Sequence, residues 1–477
     1  MTWCGLMKKS NACDTLSQNQ LKKIIIMQRI LGSLLVALFV FSAVSAQAQK
    51  AAELLEAGPM LGYVEIQEAN LWIQTTEPAD YEIRYHVKGN EKSMRSYTGT
   101  TKALESNTAH IKLKDLRYGS TYEYDLYLDG KQVKLPYNTQ FATKQLWQHR
   151  TSAPDFTFAM GSCLFINDKP YDRPGEGYGQ GTAILSEINK RDPDLMLWLG
   201  DNVYYREPDF YSKSRMDYRY HDARNTKEMQ PLLANAINLA TWDDHDYGPN
   251  NSDRSYRMKE EALDIFKRYW ANPSYGIEGT DGVFTKYKYS DVEFFFMDDR
   301  YHRAPNRLHD EDKAFFGEAQ LQWLMDSLVG SYATFKIVVV GNQATNKMQD
   351  YESLYSYKEE YETLMSFLKE QDIPGVFFIS GDRHFTELLK TNRGRDYPIY
   401  EFTSSPLSSS TYSDLNESEE HDNPQRVEGT LVYEDQNFGL IKVTGSEGDR
   451  KLILQTYGSE GDKLWEKTIH ENDLDNE

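Results

Sequence analysis

Hydrophobic residues change their spacing partway along this chain. In residues 55–147 apolar and polar positions alternate in short runs, for example LWIQ at 71–74 and YEYDLYL at 122–128, and turn signals such as Asp129-Gly separate the runs. A period of two with frequent turns is typical of antiparallel β-strands, whose side chains point alternately to opposite faces. The pattern therefore predicts an all-β sandwich domain over residues 55–147.

From residue 150 onward, compact apolar runs alternate with amphipathic segments. The runs at 156–160 and 195–199 are short and bounded by polar residues, as expected for buried strands. Residues 182–190 and 318–328 place their apolar residues on one face of a helix. This alternation predicts an α/β domain over residues 150–460, in which helices pack on a central pair of sheets. Further strands are predicted at 292–297, 335–340, 376–380, 430–434, 439–444 and 451–457, and further helices at 257–270 and 357–368.

Both ends of the chain lie outside the two predicted domains. In residues 1–48 a basic flank precedes an apolar run over 31–46, which ends in Ala-Gln-Ala. This order is typical of a secretory signal, and the run is shorter than the roughly 20 residues that a membrane-spanning helix needs. We therefore predict a periplasmic or secreted protein with no transmembrane span in the mature chain, and an uncleaved anchor is the alternative. The acidic residues 461–477 predict a C-terminal tail whose last residues fray.

Charge and cysteine content narrow the function classes. The chain has 53 Lys and Arg against 73 Asp and Glu, a formal net charge of -20. This balance argues against a nucleic-acid surface and suits an extracytoplasmic protein that handles cations. Cys4 and Cys13 precede the predicted cleavage site, so Cys163 is the single cysteine of the mature chain. A lone thiol in an oxidising compartment is expected to be buried or bound to a metal.

Several apolar runs end in residues that carry chemistry. The run at 195–199 is followed by Gly-Asp201, the run at 376–380 leads to Gly-Asp-Arg-His384, and the run at 335–340 is followed by Gly-Asn-Gln. Residues 240–246, with the sequence ATWDDHD, follow an apolar segment that resembles a helix. Ligands bind at the carboxyl ends of strands in open α/β sheets. Strands that bring Asp, His and amide groups to one edge predict a metal site there.

The candidate metal ligands at these positions differ in chemical hardness, and therefore in the metals that they prefer. Asp201 can bridge two cations with its two carboxylate oxygens, the phenolate of Tyr204 suits Fe³⁺, Cys163 offers a thiolate and His384 an imidazole. Asp244 and Asp382 add carboxylate oxygens, and Asn250, Asn251 and Gln343 are candidates for neutral oxygen ligands. A mixture of nitrogen, oxygen and sulfur donors suggests two different metals, and paired metals in hydrolases hold the attacking and leaving oxygens of a phosphoryl group.

Two further residue types fit a phosphate reaction. His245 lies between Asp244 and Asp246, a setting expected to favour its protonated form, so it is the candidate that protonates the leaving group. Arg300 or Arg303 is the candidate that holds phosphate oxygens through two parallel hydrogen bonds.

Taken together, these blocks resemble the alkaline phosphatase D (PhoD-like) family, a branch of the calcineurin-like metallophosphoesterases. The matching blocks are Gly161-Ser-Cys163, Gly200-Asp201-Asn-Val-Tyr204, Trp242-Asp-Asp-His245-Asp, Asp299-Arg300 and Gly381-Asp-Arg-His384, in this order. The preceding segment, with Gly58-Pro-Met60, resembles the N-terminal domain of that family, and residues 116–124 resemble the tyrosine corner of fibronectin type III-like domains. The fold that the resemblance implies is a metallophosphoesterase-type layered domain of sheets and helices, preceded by a fibronectin-like sandwich.

The resemblance also implies an activity and a set of metal ligands. It implies an alkaline phosphatase or phosphodiesterase with an Fe³⁺ and Ca²⁺ centre, although other divalent metals remain open. By motif position, Cys163, Asp201, Tyr204 and His384 would hold the iron-type metal, Asp201 would bridge, Asp244 and Asp382 would serve the second metal, and His245 would donate the proton. The chain departs from the family in lacking a twin-arginine signal, in having Asp246 where Glu is common, and in having Gly341-Asn-Gln343 in place of a His-containing block.

Three functions stay open at this point. The first is a secreted phosphatase or phosphodiesterase that hydrolyses phosphate esters with a metal-activated hydroxide. The second is an extracytoplasmic binding protein whose metal site is structural, and the third is a diesterase specialised for phospholipid or wall-polymer substrates. Substrate choice is expected to depend on the loops at 171–181 and 207–226. Structural interpretations also remain for single residues: burial for Cys163, packing for Tyr204, orientation of Asp244 for His245, and ion pairing for Arg300.

Overall fold

The computed structural model describes residues 53–175, 177–309, 313–348 and 352–476, together with residues 20, 22, 23 and 25–28. The predicted secretory signal over residues 1–48 lies outside these ranges apart from those few positions. Among the described residues, no helix is long and apolar enough to cross a membrane.

The N-terminal part is a β-sandwich, as predicted. One sheet has the strand order β1-β2-β5, and the other has the order β4-β3-β6-β7 with β8 paired to β6. Alternate residues of β6 point inward, and Tyr122 OH accepts a hydrogen bond from Arg117 N at 2.7 Å, a tyrosine-corner contact. The strands are β1 (Leu55–Val64), β2 (Ala69–Thr75), β3 (Asp80–Val87), β4 (Asn90–Thr100), β5 (Thr108–Leu113), β6 (Thr121–Leu128), β7 (Lys131–Gln132) and β8 (Gln140–Ala142).

The second part contains two six-stranded sheets packed face to face, in the orders β11-β10-β9-β18-β19-β20 and β12-β13-β14-β15-β17-β16. Aromatic rings join the facing sheets, for example Phe158 and Phe294 with centroids 5.2 Å apart and Phe402 and Trp465 with centroids 4.9 Å apart. The strands are β9 (Phe156–Gly161), β10 (Leu195–Leu199), β11 (Ile237–Thr241), β12 (Thr285–Tyr289), β13 (Val292–Phe296), β14 (Phe335–Val339), β15 (Val376–Ser380), β16 (Glu387–Arg393), β17 (Asp396–Thr403), β18 (Asn437–Thr444), β19 (Lys451–Gly458) and β20 (Lys463–His470).

Helices occupy the connections between the strands. They are α1 (Ala183–Lys190), α2 (Lys213–Arg224), α3 (Met229–Asn235), α4 (Asp244–Tyr247), α5 (Lys259–Tyr269), α6 (Glu318–Val329) and α7 (Lys358–Glu370). Because β9, β10 and β11 are parallel, and β13, β14, β15 and β17 are parallel, the carboxyl ends of each group meet at one edge of its sheet. The predicted α/β domain with a central pair of sheets is therefore confirmed.

The sandwich packs directly on the α/β part. Trp72 is buried, and its indole N–H donates to Arg268 O at 2.8 Å. Tyr287 OH donates to Val64 O at 2.6 Å. A Cβ on Gly62 would lie 2.4 Å from Ala271 Cβ, so the two parts approach too closely there for any larger residue. These contacts hold β1 against the sheet that carries several of the predicted site residues.

Three predictions of local structure are wrong. Within the predicted tail, residues 461–476 are folded, because β20 (Lys463–His470) pairs with β19 and buries Trp465 and Ile469. The charged residues between these two obscure the alternating pattern of the strand. Nor does the end fray, because Leu474 is buried. Residues 430–434 form only a bridge from Val432 to Thr386, without a strand. The apolar segment before the WDDHD block contains the expected helix, α3 (Met229–Asn235), and then continues into strand β11 (Ile237–Thr241).

Candidate metal centre

The predicted ligands follow the carboxyl ends of four strands in both large sheets. Cys163 follows β9, Asp201 follows β10, Asp244 follows β11, and Asp382 and His384 follow β15. Each strand is buried and apolar up to its last residues, and a polar loop then begins. The edge that the sequence predicted is therefore assembled from residues that lie far apart in the chain.

Four of these residues have a left-handed backbone. The φ angle is 59° at Cys163, 51° at Asp201, 69° at Asp382 and 57° at His384. Asp and His adopt this conformation more readily than most residues, whereas Cys rarely does. Such conformations persist only where the surroundings enforce them, and they concentrate at functional sites. Their occurrence at three neighbouring strand ends supports a site built for function rather than for packing alone.

A first group of donors surrounds one point. Ligand atoms of Cys163, Asp201 and His384 all lie within 4.8 Å of one another. Cys163 Sγ is 3.7 Å from Asp201 Oδ2, and Tyr204 OH is 3.3 Å from His384 Nε2. Tyr204 is buried, so its hydroxyl group faces the site and not solvent. The structure thus brings together the four residues predicted to hold the iron-type metal.

A second group shares Asp201 with the first. Ligand atoms of Asp201, Asp244 and His245 also lie within 4.8 Å of one another. Asp244 Oδ1 and Asp382 Oδ2 are buried and have no hydrogen-bond partner among the described residues. Burial of an unpartnered carboxylate oxygen costs several kcal/mol, and a cation with oxygen ligands removes that cost. These orphaned oxygens fit a second metal beside the first.

Several acidic groups of the site have raised pKa values, whereas His245 and Arg300 outweigh burial and lower the pKa of Asp244 to about 2. Burial and then the nearby Cys163 and Asp244 raise the pKa of Asp201 well above its usual range. Burial also raises the pKa of Asp382 to about 7, and burial together with Asp382 raises that of Cys163 to about 11. Bound cations favour the ionised forms of these groups, which is the form in which they act as ligands.

Asp246 acts on the turn at Asp201 rather than on His245. Its carboxylate accepts hydrogen bonds from Asp201 N at 3.3 Å, Asn202 N at 3.1 Å and Asp243 N at 2.6 Å. These bonds fix the backbone that presents Asp201. Sequence reasoning missed this role, although an acid three residues after Asp243 is the pattern of a helix capping box.

The surroundings of His245 disfavour the protonated form that the sequence predicted. Burial lowers the pKa of His245, and the opposing effect of Asp244 does not compensate for it. Its Nε2 is 3.9 Å from Asp244 Oδ1, whereas the Asp246 carboxylate turns away to the backbone of Asp201. The imidazole stacks on Tyr204 with ring centroids 4.3 Å apart and keeps 24% of its side chain exposed. It is therefore a solvent-accessible group beside the site whose protonated form is favoured only at lower pH.

Arg300 does not occupy the predicted position at the phosphate. Its side chain is fully buried, with Nε 2.6 Å from Asp243 Oδ1 and Nη2 2.9 Å from Glu352 Oε2. Arg303 is also buried and donates to Asn342 Oδ1 at 2.5 Å. Both guanidinium groups thus bind acceptors inside the protein. This arrangement agrees with the ion-pairing interpretation rather than with the predicted contact to substrate.

The amide candidates Gln343 and Asn251 differ in how they are placed. Gln343 Nε2 donates to Glu387 Oε1 at 2.8 Å and to Thr403 Oγ1 at 2.9 Å, and Gln343 Oε1 accepts from Asn346 at 2.7 Å. Asn251 approaches the site through its backbone, because its N–H donates to Asp244 Oδ2 at 2.6 Å. The side chain of Gln343 therefore has internal partners on both its nitrogen and its oxygen.

The paired sheets and the cluster at their shared edge define a phosphoesterase of the metallophosphoesterase class. The PhoD-like phosphatase family matches residues 173–452, and the chain belongs to this family. The matched range includes all the predicted site residues except Cys163. A second family, described as a domain of unknown function (DUF7800), matches residues 52–146. The protein is therefore a phosphoric ester hydrolase of the PhoD-like family, as the sequence blocks predicted.

Solved structures share this fold at low sequence identity. A structure of PhoD superposes with a TM-score of 0.69 at 16% identity, covering 86% of this chain and 92% of that chain. Purple acid phosphatase PPD1 from yellow lupin (Lupinus luteus) seeds superposes with a TM-score of 0.59 at 11% identity, covering 87% of this chain and 75% of that chain. A search of curated proteins found no match. At these identities the two structures support the fold alone.

Proposed function

We propose that this PhoD-like phosphatase is a secreted, metal-dependent hydrolase of phosphate mono- or diesters with an Fe³⁺ and Ca²⁺ centre. The observation that carries the proposal is the position of Asp201, which belongs to both groups of candidate ligands. A carboxylate shared between two groups suits a bridge between two metals, and hydrolases use such pairs to clamp phosphoryl oxygens. Secretion rests on the signal predicted from residues 1–48.

The two groups of donors favour different metals. Cys163, Tyr204 and His384 offer sulfur, phenol oxygen and imidazole nitrogen, a set that favours iron. Asp244 and Asp382 offer carboxylate oxygens, two of them buried and without a hydrogen-bond partner among the described residues, which suits a hard cation such as Ca²⁺. Other divalent metals remain an alternative for the second position.

The bound metals would supply a hydroxide nucleophile at neutral pH and neutralise charge on the phosphoryl oxygens. Asp201 would hold both metals at a fixed separation, because Asp246 and the N–H of His245 fix its turn and its Oδ1. His245 would give its proton to the leaving oxygen. Its accessible edge allows it to regain a proton from water, and its stacking on Tyr204 fixes the direction of the ring.

Metal analysis combined with two substrates tests this proposal. We expect purified protein to contain iron and calcium and to hydrolyse an aryl phosphomonoester or an aryl phosphodiester, with loss of activity after chelation. The ratio of the two rates separates a general phosphatase from a specialised diesterase. Metal content without hydrolysis of either ester would favour the binding-protein alternative instead.

Colour provides an independent test of the iron ligand. If Tyr204 binds Fe³⁺, charge transfer from the phenolate should make the protein violet, and Tyr204→Phe should bleach it. Tyr205→Phe is the matched control, because Tyr205 is adjacent and equally buried but belongs to the neighbouring hydrophobic core. Equal colour in both variants would remove Tyr204 from the proposed ligand set.

A further inference from the structure

Tyr178 lies at the rim of the candidate metal centre, in a glycine-rich segment of the 171–181 loop. Its side chain is 42% exposed, yet its hydroxyl group is 3.2 Å from His384 Nδ1. The ring packs against Phe165, with centroids 4.9 Å apart, and lies 6.3 Å from the ring of Tyr204. One edge of this phenol therefore faces solvent while its oxygen faces the candidate ligands.

The loop holds Tyr178 in place through the residues around it. The Asn167 side-chain amide forms two hydrogen bonds with the backbone of Gly179. Its Nδ2 donates to Gly179 O at 2.7 Å, and its Oδ1 accepts from Gly179 N at 3.0 Å. A Cβ on Gly179 would lie 2.6 Å from Phe165 O, so only glycine permits this approach. Gln180 N donates to Ser408 O at 2.7 Å. Tyr178 is thus a positioned side chain rather than a loose surface residue.

The proton on His384 determines what the Tyr178 hydroxyl can do. His384 Nδ1 is 2.7 Å from Ser410 O, and a carbonyl oxygen only accepts, so Nδ1 carries the hydrogen in this contact. A protonated Nδ1 cannot accept from the phenol of Tyr178. The phenol hydrogen is therefore not needed by the imidazole.

The site also lacks the cationic donors that sequence reasoning assigned to phosphate. Arg300 and Arg303 are buried and bound to Glu352 and Asn342. The rim must nevertheless accommodate an anionic phosphoryl group close to Asp201 and Asp382. A neutral hydroxyl donor at the rim can bind an anionic oxygen without a cationic side chain.

We propose that Tyr178 contacts the substrate and donates its phenol hydrogen to a non-bridging oxygen of the phosphoryl group. This inference rests on the proposed function for the location of that group. It assigns a specific residue to the 171–181 loop, which sequence analysis singled out for substrate choice without naming a contact. No bond is made or broken by Tyr178, which only binds and orients.

The test compares Tyr178→Phe with Tyr171→Phe in the metal-loaded, full-length protein. Binding of inorganic phosphate is measured by calorimetry, and metal content and kcat/KM for an aryl phosphomonoester are measured in parallel. We expect Tyr178→Phe to weaken phosphate binding and lower kcat/KM by roughly 10–100-fold, the cost of one hydrogen bond to a charged group, with metal content unchanged. Tyr171 lies in the same loop but packs on Tyr218, so Tyr171→Phe should change none of these values.

Phosphate binding can be measured without turnover. The experiment therefore distinguishes failure of the proposed hydrolase function from failure of the proposed Tyr178 contact. Wild-type protein that binds phosphate but hydrolyses no ester would contradict the proposed function. The ratio of the phosphate affinities of wild type and Tyr178→Phe would still show whether Tyr178 contacts phosphate. Unchanged phosphate affinity in Tyr178→Phe would overturn the contact, as would wild-type protein that binds no phosphate. Loss of metal in Tyr178→Phe would show that Tyr178 supports His384 and does not bind substrate.

Discussion

Two buried charged clusters lie side by side at the end of β11, and they are balanced in opposite ways. The arginine cluster consists of Asp243, Arg300, Arg303, Asn342 and Glu352, and the candidate metal centre consists of Cys163, Asp201, Tyr204, Asp244, Asp382 and His384. Asp243 and Asp244 are consecutive residues, yet Asp243 pairs with Arg300 whereas Asp244 lies beside Asp201 and His245. Neighbours in the sequence thus belong to different clusters.

The difference lies in where the counter-charge comes from. In the arginine cluster, burial acts to raise the pKa of Glu352, but Arg303 and Arg300 outweigh it and lower that pKa. In the candidate metal centre, burial raises the pKa of Asp382 to about 7, and its Oδ2 has no hydrogen-bond partner, although Arg383 Nη1 lies 3.7 Å away. Buried charges are stable only when paired or bound to a metal. The first cluster contains two arginine side chains of its own. In the second, Arg383 lies 3.7 Å from Asp382 Oδ2 but forms its shorter ion pair with Glu420, so we expect bound metals to supply most of the positive charge there.

The largest expected effect comes from Asp201→Asn. Loss of the shared carboxylate should remove both metals and lower activity by more than the roughly 10²–10³-fold that loss of one electrostatic donor costs. In metal-free protein the same change should leave the melting temperature equal or higher, because it removes a negative charge from an unbalanced group of acids. Metal analysis and thermal unfolding with and without chelator provide the measurement. A lower melting temperature of the metal-free variant would contradict the proposed imbalance.

The next largest effect is expected from a substitution of His245, which could act as a proton donor or as a supporting residue. His245→Ala should slow alkyl phosphoesters by about 10²–10⁴-fold and aryl esters much less, because general acid catalysis helps a poor leaving group most. Metal content should stay at the wild-type level. Since burial lowers the pKa of His245, its acid form is lost as pH rises through that lowered value, so the alkyl-to-aryl rate ratio of the wild type should fall with pH. Equal slowing of both esters, or loss of metal, would make His245 a ligand or a structural residue.

Arg300→Met tests the balanced cluster. Removing one partner of a buried ion pair typically costs about 3–5 kcal/mol, because Asp243 and Glu352 would keep uncompensated charges. Chemical denaturation should show this loss, while metal content per folded molecule stays unchanged. Arg254→Met is the matched control: Arg254 is exposed, and its substitution should shift stability by less than about 0.5 kcal/mol. Wild-type stability with a raised KM for phosphoesters would instead restore the predicted phosphate contact.

The smallest effect concerns Lys336, a buried cation away from both clusters. Its Nζ donates to Ala333 O and Pro374 O at 3.0 Å, and burial lowers its pKa to about 8 from its ordinary value of 10.5. The folded state therefore binds this proton more weakly than the unfolded chain, and unfolding takes up a proton between these pH values. Stability relative to Lys336→Met should rise by on the order of 3 kcal/mol from pH 8 to pH 10.5. A pH-independent difference between the two proteins would show that carbonyl groups alone satisfy the charge.

The sequence by itself determined the strands that carry the site and most of the candidate ligands. The runs that form β9, β10 and β15 are apolar up to a glycine, and a polar residue follows each of them. Strand length and the switch from apolar to polar residues are local properties, so they can be recognised without knowledge of the fold. The ordered blocks then identified the PhoD-like family, which the family match confirms.

Only the tertiary structure decided which charged residues face each other. Sequence spacing cannot distinguish Asp243 from Asp244, or show that Arg300 meets Glu352, because those partners come from the loop after β13 and from another loop far along the chain. It also cannot show that the Asp246 carboxylate turns to the backbone of Asp201, which leaves His245 with burial as the dominant influence on its pKa. Burial and pairing depend on contacts between distant segments, and these contacts exist only after the two sheets have packed together.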